Sequence, residues 1–277
     1  MKLGAELQPD QQPARWDDHV AVYEAVFEPL TNAFARRTLD RLALKPGDRL
    51  IDVGAGAGGA ALIAARHGAD VLAVDASRHM VSRIGERARS LPPGAGSVRA
   101  ESMDGMALAL PDAGFDAALS VFGVILFPDT VRGMREIARM LKPGGRAGIV
   151  TWTEIERYEL ATRLMAAVAA VRGPQPPPAA LPAQLRYRDE AVFRDLFDQA
   201  GLRLDAVLRL EEGWRLPGAR WIADRVGFAP GMAAMVDGLG PHRAAVLDAF
   251  VAALERERGP GEIALTAVAH AGIAIRP

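Results

Sequence analysis

Four glycines within six positions, Gly54, Gly56, Gly58 and Gly59, follow the short apolar run Leu50–Val53, which carries a single acid, Asp52. Glycine tolerates positive φ and removes the Cβ that would hold a ligand off the main chain. The loop therefore reads as a surface against which a flat ligand lies. Gly54, Gly56 and Gly59 also satisfy G-x-G-x-x-G, the fingerprint of dinucleotide sites, although that pattern alone selects no ligand. Asp75 closes the next apolar run, VLAVD. A carboxylate there can accept both hydroxyl protons of a ribose, which suits NAD or any other adenosine ligand. Its alternative duty is structural, as an acid favoured by the N-terminal dipole of the following helix.

Asp52 and Asp104 separate the candidates. At the end of its strand Asp52 would repel a pyrophosphate but attract a cationic amino group, which favours S-adenosylmethionine. Asp104 stands just past the third apolar strand, where it can take the exocyclic N–H of an adenine while Met103 packs on the ring. The segments LIDVGAGAGG, VDASRHMV, LPDAGFDAALSVFGVILFPD and MREIARMLKPGGR resemble, in order, the motifs of class I S-adenosylmethionine-dependent methyltransferases. The similarity is to the group that holds the ubiquinone and menaquinone C-methyltransferases and many small-molecule enzymes, and it covers about residues 14 to 152. It implies a Rossmann-like α/β fold, a seven-stranded sheet of order 3-2-1-4-5-7-6 with strand 7 antiparallel. It also implies a cofactor amino group near Asp52 and the loop Gly54, Ala55, Gly56 and Gly58, with the ribose on Asp75 beside Ala76. Met80 and Met103 would then flank the adenine, Asp104 would take its amine, and Ser120 and Phe122 would line the methionine part. Trp16 and Tyr23 resemble the N-terminal aromatic positions that fold over this ligand; their alternative is to anchor the first helix.

The reaction so implied is attack on a sulfonium methyl, for which the protein chiefly supplies alignment, on the order of 7–11 kcal/mol through proximity. An aromatic face near the sulfonium adds about 1–2 kcal/mol. A base is required only for an acceptor that keeps its proton at neutral pH. His19, His67, His79, His242 and His270 are the histidines available, and none stands in a motif that marks it as that base. Asp129 and Glu154 follow the fourth and fifth strands but form no metal-binding spacing, so no metal is expected. Three other readings stay open: a cyclase-type step on the same fold, a catalytically inactive cofactor-binding subunit, and NAD-linked oxidoreduction, the last disfavoured by Asp52 and Asp104.

These residues need a frame. From Leu50 onward short apolar runs alternate with amphipathic segments, the signature of βαβ units in a mostly parallel sheet. Ser77 is placed to cap one helix, with Met80, Val81, Ile84 and Ala88 as its buried face. Val131, Met134, Ile137, Ala138 and Leu141 mark another, which Lys142, Pro143, Gly144 and Gly145 should end in a tight turn. Trp16 to Leu44 reads as helical. The proline-rich stretch Gly173–Gln184 reads as a surface loop, with a helix from Glu190 to Ala200, a strand from Leu204 to Leu210 and a final strand near residues 262–275 after it.

The organisation expected is an N-terminal helical cover (1–45), a cofactor-binding core (46–212 with 259–277) and a helical lid inserted at 213–258. Trp214, Trp221, Phe228, Met232 and Met235 of the insertion line the pocket or fill the insertion's own core. With 277 residues, 33 basic against 34 acidic side chains and no cysteine, the chain offers no basic field for nucleic acid, no disulfide and no thiolate nucleophile. No apolar run approaches the roughly 20 residues of a membrane span. A cytoplasmic enzyme acting on a small molecule is expected, as monomer or homodimer.

Overall fold

The computed structural model describes residues 6–176 and 180–277. Seven strands, β1 (Arg49–Val53), β2 (Asp70–Asp75), β3 (Val98–Ser102), β4 (Phe115–Val121), β5 (Leu141–Trp152), β6 (Arg203–Leu216) and β7 (Ile263–Ile275), form one sheet in the order β3-β2-β1-β4-β5-β7-β6. β1 to β5 pair in parallel, and β7 runs antiparallel to both of its neighbours. This is the sheet that the resemblance implied. β1 lies between β2 and β4, so the chain reverses its direction of travel across the sheet there. A crevice opens beyond the strand ends at such a switch point.

Helices cover both faces. α1 (Pro13–Trp16), α2 (Val20–Val26) and α3 (Glu28–Leu42) precede the sheet, where the pattern from Trp16 to Leu44 predicts continuous helix. The break has a local cause. Pro29 stands in the first turn of α3, and a proline there lacks the N–H of a continuous helix and crowds the turn before it. The four-residue steps themselves hold, since Leu30, Phe34, Thr38 and Leu42 are all buried.

α4 (Gly59–Arg66) and α5 (Arg78–Ala88) follow β1 and β2, and Ser77 caps α5 by accepting from the Met80 N–H. Of the predicted face, Met80 and Ile84 are buried, while Val81 and Ala88 are half-buried. α6 (Thr130–Met140) is capped by Asp129. No separate turn follows it, because Leu141 already pairs with Phe115, and the Lys-Pro-Gly-Gly segment is an irregular start to β5 with Gly144 at φ 78°.

α7 (Glu159–Arg172) carries no side-chain cap, and its buried stripe of Leu160, Leu164, Ala167 and Val168 lies among further alanines, so the sequence gives it little definition. α8 (Glu190–Gln199) agrees with expectation. β6 runs six residues past Leu210, because it zips against β7 as far as Leu216 opposite Ile263. α9 (Ala219–Ala223), α10 (Pro230–Asp237) and α11 (Arg243–Arg258) are inserted between those two strands. In the proline-rich stretch, residues 174–176 are exposed and Ala183–Leu185 form a 3-10 turn, whereas Pro177, Pro178 and Ala179 lie outside the described residues. Among the described residues no helix is long and apolar enough to cross a membrane.

Candidate active site

A cavity of about 520 Å³ opens at the carboxyl ends of β1, β2 and β4. That is within the range of about 300–1,000 Å³ usual for small-molecule sites. The glycine loop, Asp75, Ala76, Met80 and the segment Ser102–Met106 form one side. Residues of the N-terminal segment from Leu7 to Trp16, with Tyr23 and Phe27, and residues of the stretch Val121–Pro128 complete the lining.

Asp75 accepts the Gly56 N–H on Oδ2 and the Ser77 N–H on Oδ1, both at 2.9 Å, which fixes the carboxylate plane. Burial nevertheless pushes its pKa up to about 6. Asp52 is buried, and its Oδ2 has no hydrogen-bond partner. Desolvation first, and then the nearby Asp75 charge, raise its pKa to about 7. Asp52 does not face the large cavity. It lines a neighbouring one of about 10 Å³, the size of a single water. The two cavities share a wall made of Tyr23, Thr31, Gly54 and Val121.

The loop after β4 meets the glycine loop almost backbone to backbone. A Cβ on Gly54, which sits at φ 72°, would stand 2.9 Å from the Cα of Gly123. Phe122 makes that approach possible by taking φ 59°, a region costly for a bulky side chain. Its ring stacks on Trp152 with centroids 4.1 Å apart. Gly58, at φ 86°, caps α4 and packs against Ile84.

The cover is tied down by charge. Asp17 Oδ1 accepts from Ser77 Oγ at 2.5 Å and from the His79 N–H at 3.2 Å. Glu24 pairs with Arg83 through two hydrogen bonds, and Glu28 pairs with Arg87 in the same way. Arg87 also donates to Ala57 O, and Glu28 accepts the Gly59 N–H. Pairing of this kind lowers the Glu24 pKa, with Arg83 as the largest cause. Tyr23, between these pairs, stands over the loop: a Cβ on Gly56 would meet its Oη at 3.3 Å. Burial raises the Tyr23 phenol well above its ordinary value, so it is a neutral donor.

Of the residues expected at the site, Trp16, Tyr23, Gly54, Gly56, Asp75, Ala76, Met80, Met103, Asp104 and Phe122 line the large cavity. Asp52 and Ala55 line only the small one, and Gly58 lines neither. Ser120 is a correction: its hydroxyl donates to Val53 O at 2.6 Å and accepts the Val124 N–H at 2.9 Å. It pins the end of β1 to the loop after β4 and faces neither cavity. Trp214, Trp221, Phe228, Met232 and Met235 do not line the pocket. Trp214 donates its indole N–H to Val26 O, and Phe228 stacks on Phe27, so both belong to the core beneath the cover. None of the five histidines lines the cavity. Asp129 serves as the α6 cap, and Glu154 is paired with Arg209. Among the described residues no group of three or more His, Cys, Asp or Glu is arranged to hold a metal ion.

Asp10, Phe27 and Thr31, together with the wall Leu126–Pro128, escape sequence reading. Only the matched four-residue spacing of Glu24 and Glu28, across the break between α2 and α3, against Arg83 and Arg87 of α5 was there to be found.

Residues 51–149 match the model of a methyltransferase domain. The demethylmenaquinone methyltransferase of Beutenbergia cavernae is 30% identical over 224 residues, 76% of this chain and 86% of that protein. This chain belongs to the class I S-adenosylmethionine-dependent methyltransferases. An uncharacterized protein of Mycobacterium tuberculosis is 31% identical over 136 residues. That match takes in 49% of this chain and 47% of the relative, so the similarity spans about half the length of the mycobacterial protein. Among solved structures, the cyclase SpnF superposes with a TM-score of 0.61 at 20% identity, covering 100% of this chain and 99% of that one, a likeness of fold. For a methyltransferase of this class the donor set is chemically apt. Among the described residues the ionisable groups lining the large cavity are Asp10, Asp75, Asp104 and the neutral Tyr23, with the unpartnered Asp52 Oδ2 next door. Carboxylates without a competing cation fit a ligand that carries a sulfonium and an ammonium.

Proposed function

We propose that the protein transfers a methyl group from S-adenosylmethionine to a small, largely hydrophobic metabolite, by positioning and without a metal. The observation that carries this reading is the buried Asp52 Oδ2, which lacks a partner immediately behind Gly54. An ammonium group placed there removes the cost of an uncompensated buried carboxylate. In this reading Asp75 takes the ribose hydroxyls, Asp104 the adenine amine, and Met80 and Met103 the adenine faces. Tyr23 and Trp16 close over the loop, and Phe122 borders the reacting end. The cofactor brings the activated methyl when bound; the chain orients it and keeps water out.

The acceptor's wall is apolar, with Leu7, Pro13, Phe27, Leu126, Phe127 and Pro128 on it. The naming of the Beutenbergia relative for a quinone substrate supports an acceptor with an apolar body. Equilibrium dialysis with labelled S-adenosylmethionine and S-adenosylhomocysteine tests the cofactor assignment, and binding of neither ends it. Product mass tests the chemistry: methyl transfer adds one methylene unit to the acceptor, whereas a cyclisation on the same fold leaves its mass unchanged.

A further inference from the structure

The N-terminal segment brings one carboxylate onto the lining of the cavity among apolar side chains. Asp10 sits between Leu7 and Pro13, with Leu126 and Phe127 on the same lining. Its place is built. Oδ1 accepts the Gly231 N–H at 2.7 Å from the inserted helices, and its own carbonyl accepts the Trp16 indole N–H at 3.0 Å. Two anchors from different parts of the chain hold it on the lining, with the carboxylate against Gly231 at the start of α10. The other two acids on the lining have duties at the strand ends, Asp75 on Gly56 and Ser77 and Asp104 on the Met106 N–H. Among the described residues no lysine, arginine or histidine lines the cavity; the basic group that acts on Asp10 is His19, which lies off the lining.

We propose that Asp10 reads the acceptor, selecting a neutral or cationic apolar molecule that presents an O–H or N–H donor and rejecting carboxylates, sulfates and phosphates. The proposal rests on the methyl-transfer reading for the meaning of the site, and it adds to that reading the sign and polarity of the acceptor. The physical basis is two-fold. A half-buried carboxylate gains from a donor and loses from a ligand that seals it off without one, and an anion brought beside it in a poorly solvated pocket is repelled. Burial already raises the Asp10 pKa, in keeping with its place behind apolar neighbours.

The test uses three probes of one shape on the full chain: naphthol, its methyl ether and naphthoate, titrated by calorimetry with and without S-adenosylhomocysteine. Wild type should bind naphthol at least about tenfold tighter than either of the others. Asp10→Asn keeps an oxygen for the Gly231 N–H but removes the charge, and should narrow the gap between naphthol and naphthoate by about tenfold. Equal affinities in wild type, no binding of any probe, or a gap unchanged in Asp10→Asn each overturn the proposal. If the variant does not fold, the wild-type ranking alone decides. S-adenosylhomocysteine separates the two readings: discrimination among probes without nucleoside binding sinks the methyl-transfer assignment and leaves Asp10 standing, and nucleoside binding without discrimination does the reverse.

Discussion

Asp52 and Asp75 stand at the carboxyl ends of adjacent parallel strands, both destabilised as anions by burial, and the proposed cationic nucleoside would need both as anions. Their raised pKa values, about 7 and about 6, fix the sign of two pH effects. In the free protein the neutral forms are the comfortable ones, so stability is full below the ordinary aspartate range and is lost as pH rises through 6 and 7. The melting temperature should therefore fall between about pH 4 and pH 7, and Asp52→Asn should flatten the upper part of that fall. Ligand affinity runs the other way. Binding of S-adenosylhomocysteine should strengthen as pH rises through the same window, and in Asp52→Asn the component centred near 7 should disappear while that of Asp75 stays. Titration calorimetry across the window reads both. Asp75→Ala removes two hydroxyl acceptors and should weaken the nucleoside by about 10- to 100-fold; unchanged affinity would mean that the sugar lies elsewhere.

At the scale of elements, two loops from adjacent parallel strands make the floor, and they touch because glycine faces glycine. Gly54→Ala must fit a Cβ 2.9 Å from the Gly123 Cα, at a φ that costs an alanine about 1–2 kcal/mol even in open space. We expect a loss of roughly 2–4 kcal/mol in chemical denaturation, from backbone strain and overpacking together, and loss of nucleoside binding. Phe122 marks the same junction from the other side. Its left-handed backbone is held by the stack on Trp152 and by the Phe122 N–H to Val150 O at 3.2 Å. The strain is a local cost that brings the loop after β4 within contact of the cofactor loop.

Across the whole molecule, the N-terminal helices sit on α5 through three acid contacts, Asp17, Glu24 and Glu28, so opening the site means breaking them. Glu28 is only 4% exposed and satisfies Arg87 and the Gly59 N–H together. Glu28→Gln removes the two-hydrogen-bond carboxylate of Arg87, leaving it Glu24 at 3.7 Å, and should cost about 1.5–3 kcal/mol, measured by urea unfolding. Hydrogen exchange should show the cover as the first part to open. Amides of α2 and of the glycine loop should gain protection with S-adenosylhomocysteine, while those of β7 in the sheet core stay unchanged. Equal protection gains in both regions would show that the ligand rigidifies the molecule at large and that the cover is no separate gate.

The resemblance of the motifs supplied the strand order, and what the sequence determined by itself was a mostly parallel sheet with acids at its strand ends. Local patterns carry those: apolar runs of the right length, glycines after the first, a carboxylate at the tip of the second. The four-residue stripe of α3 and the cap of α5 were legible for the same reason. The tertiary structure decided what faces the ligand. Ser120 has the type and place of a contact residue, yet its hydroxyl was claimed by Val53 O and the Val124 N–H, a choice that depends on how two strands pair. Phe228 and Trp214 looked free to line a pocket and became core, because their partners, Phe27 and Val26 O, lie about 190 residues away in the chain. Asp10 carries no pattern at all, and it enters the site only because the first helices fold across the switch point of the sheet.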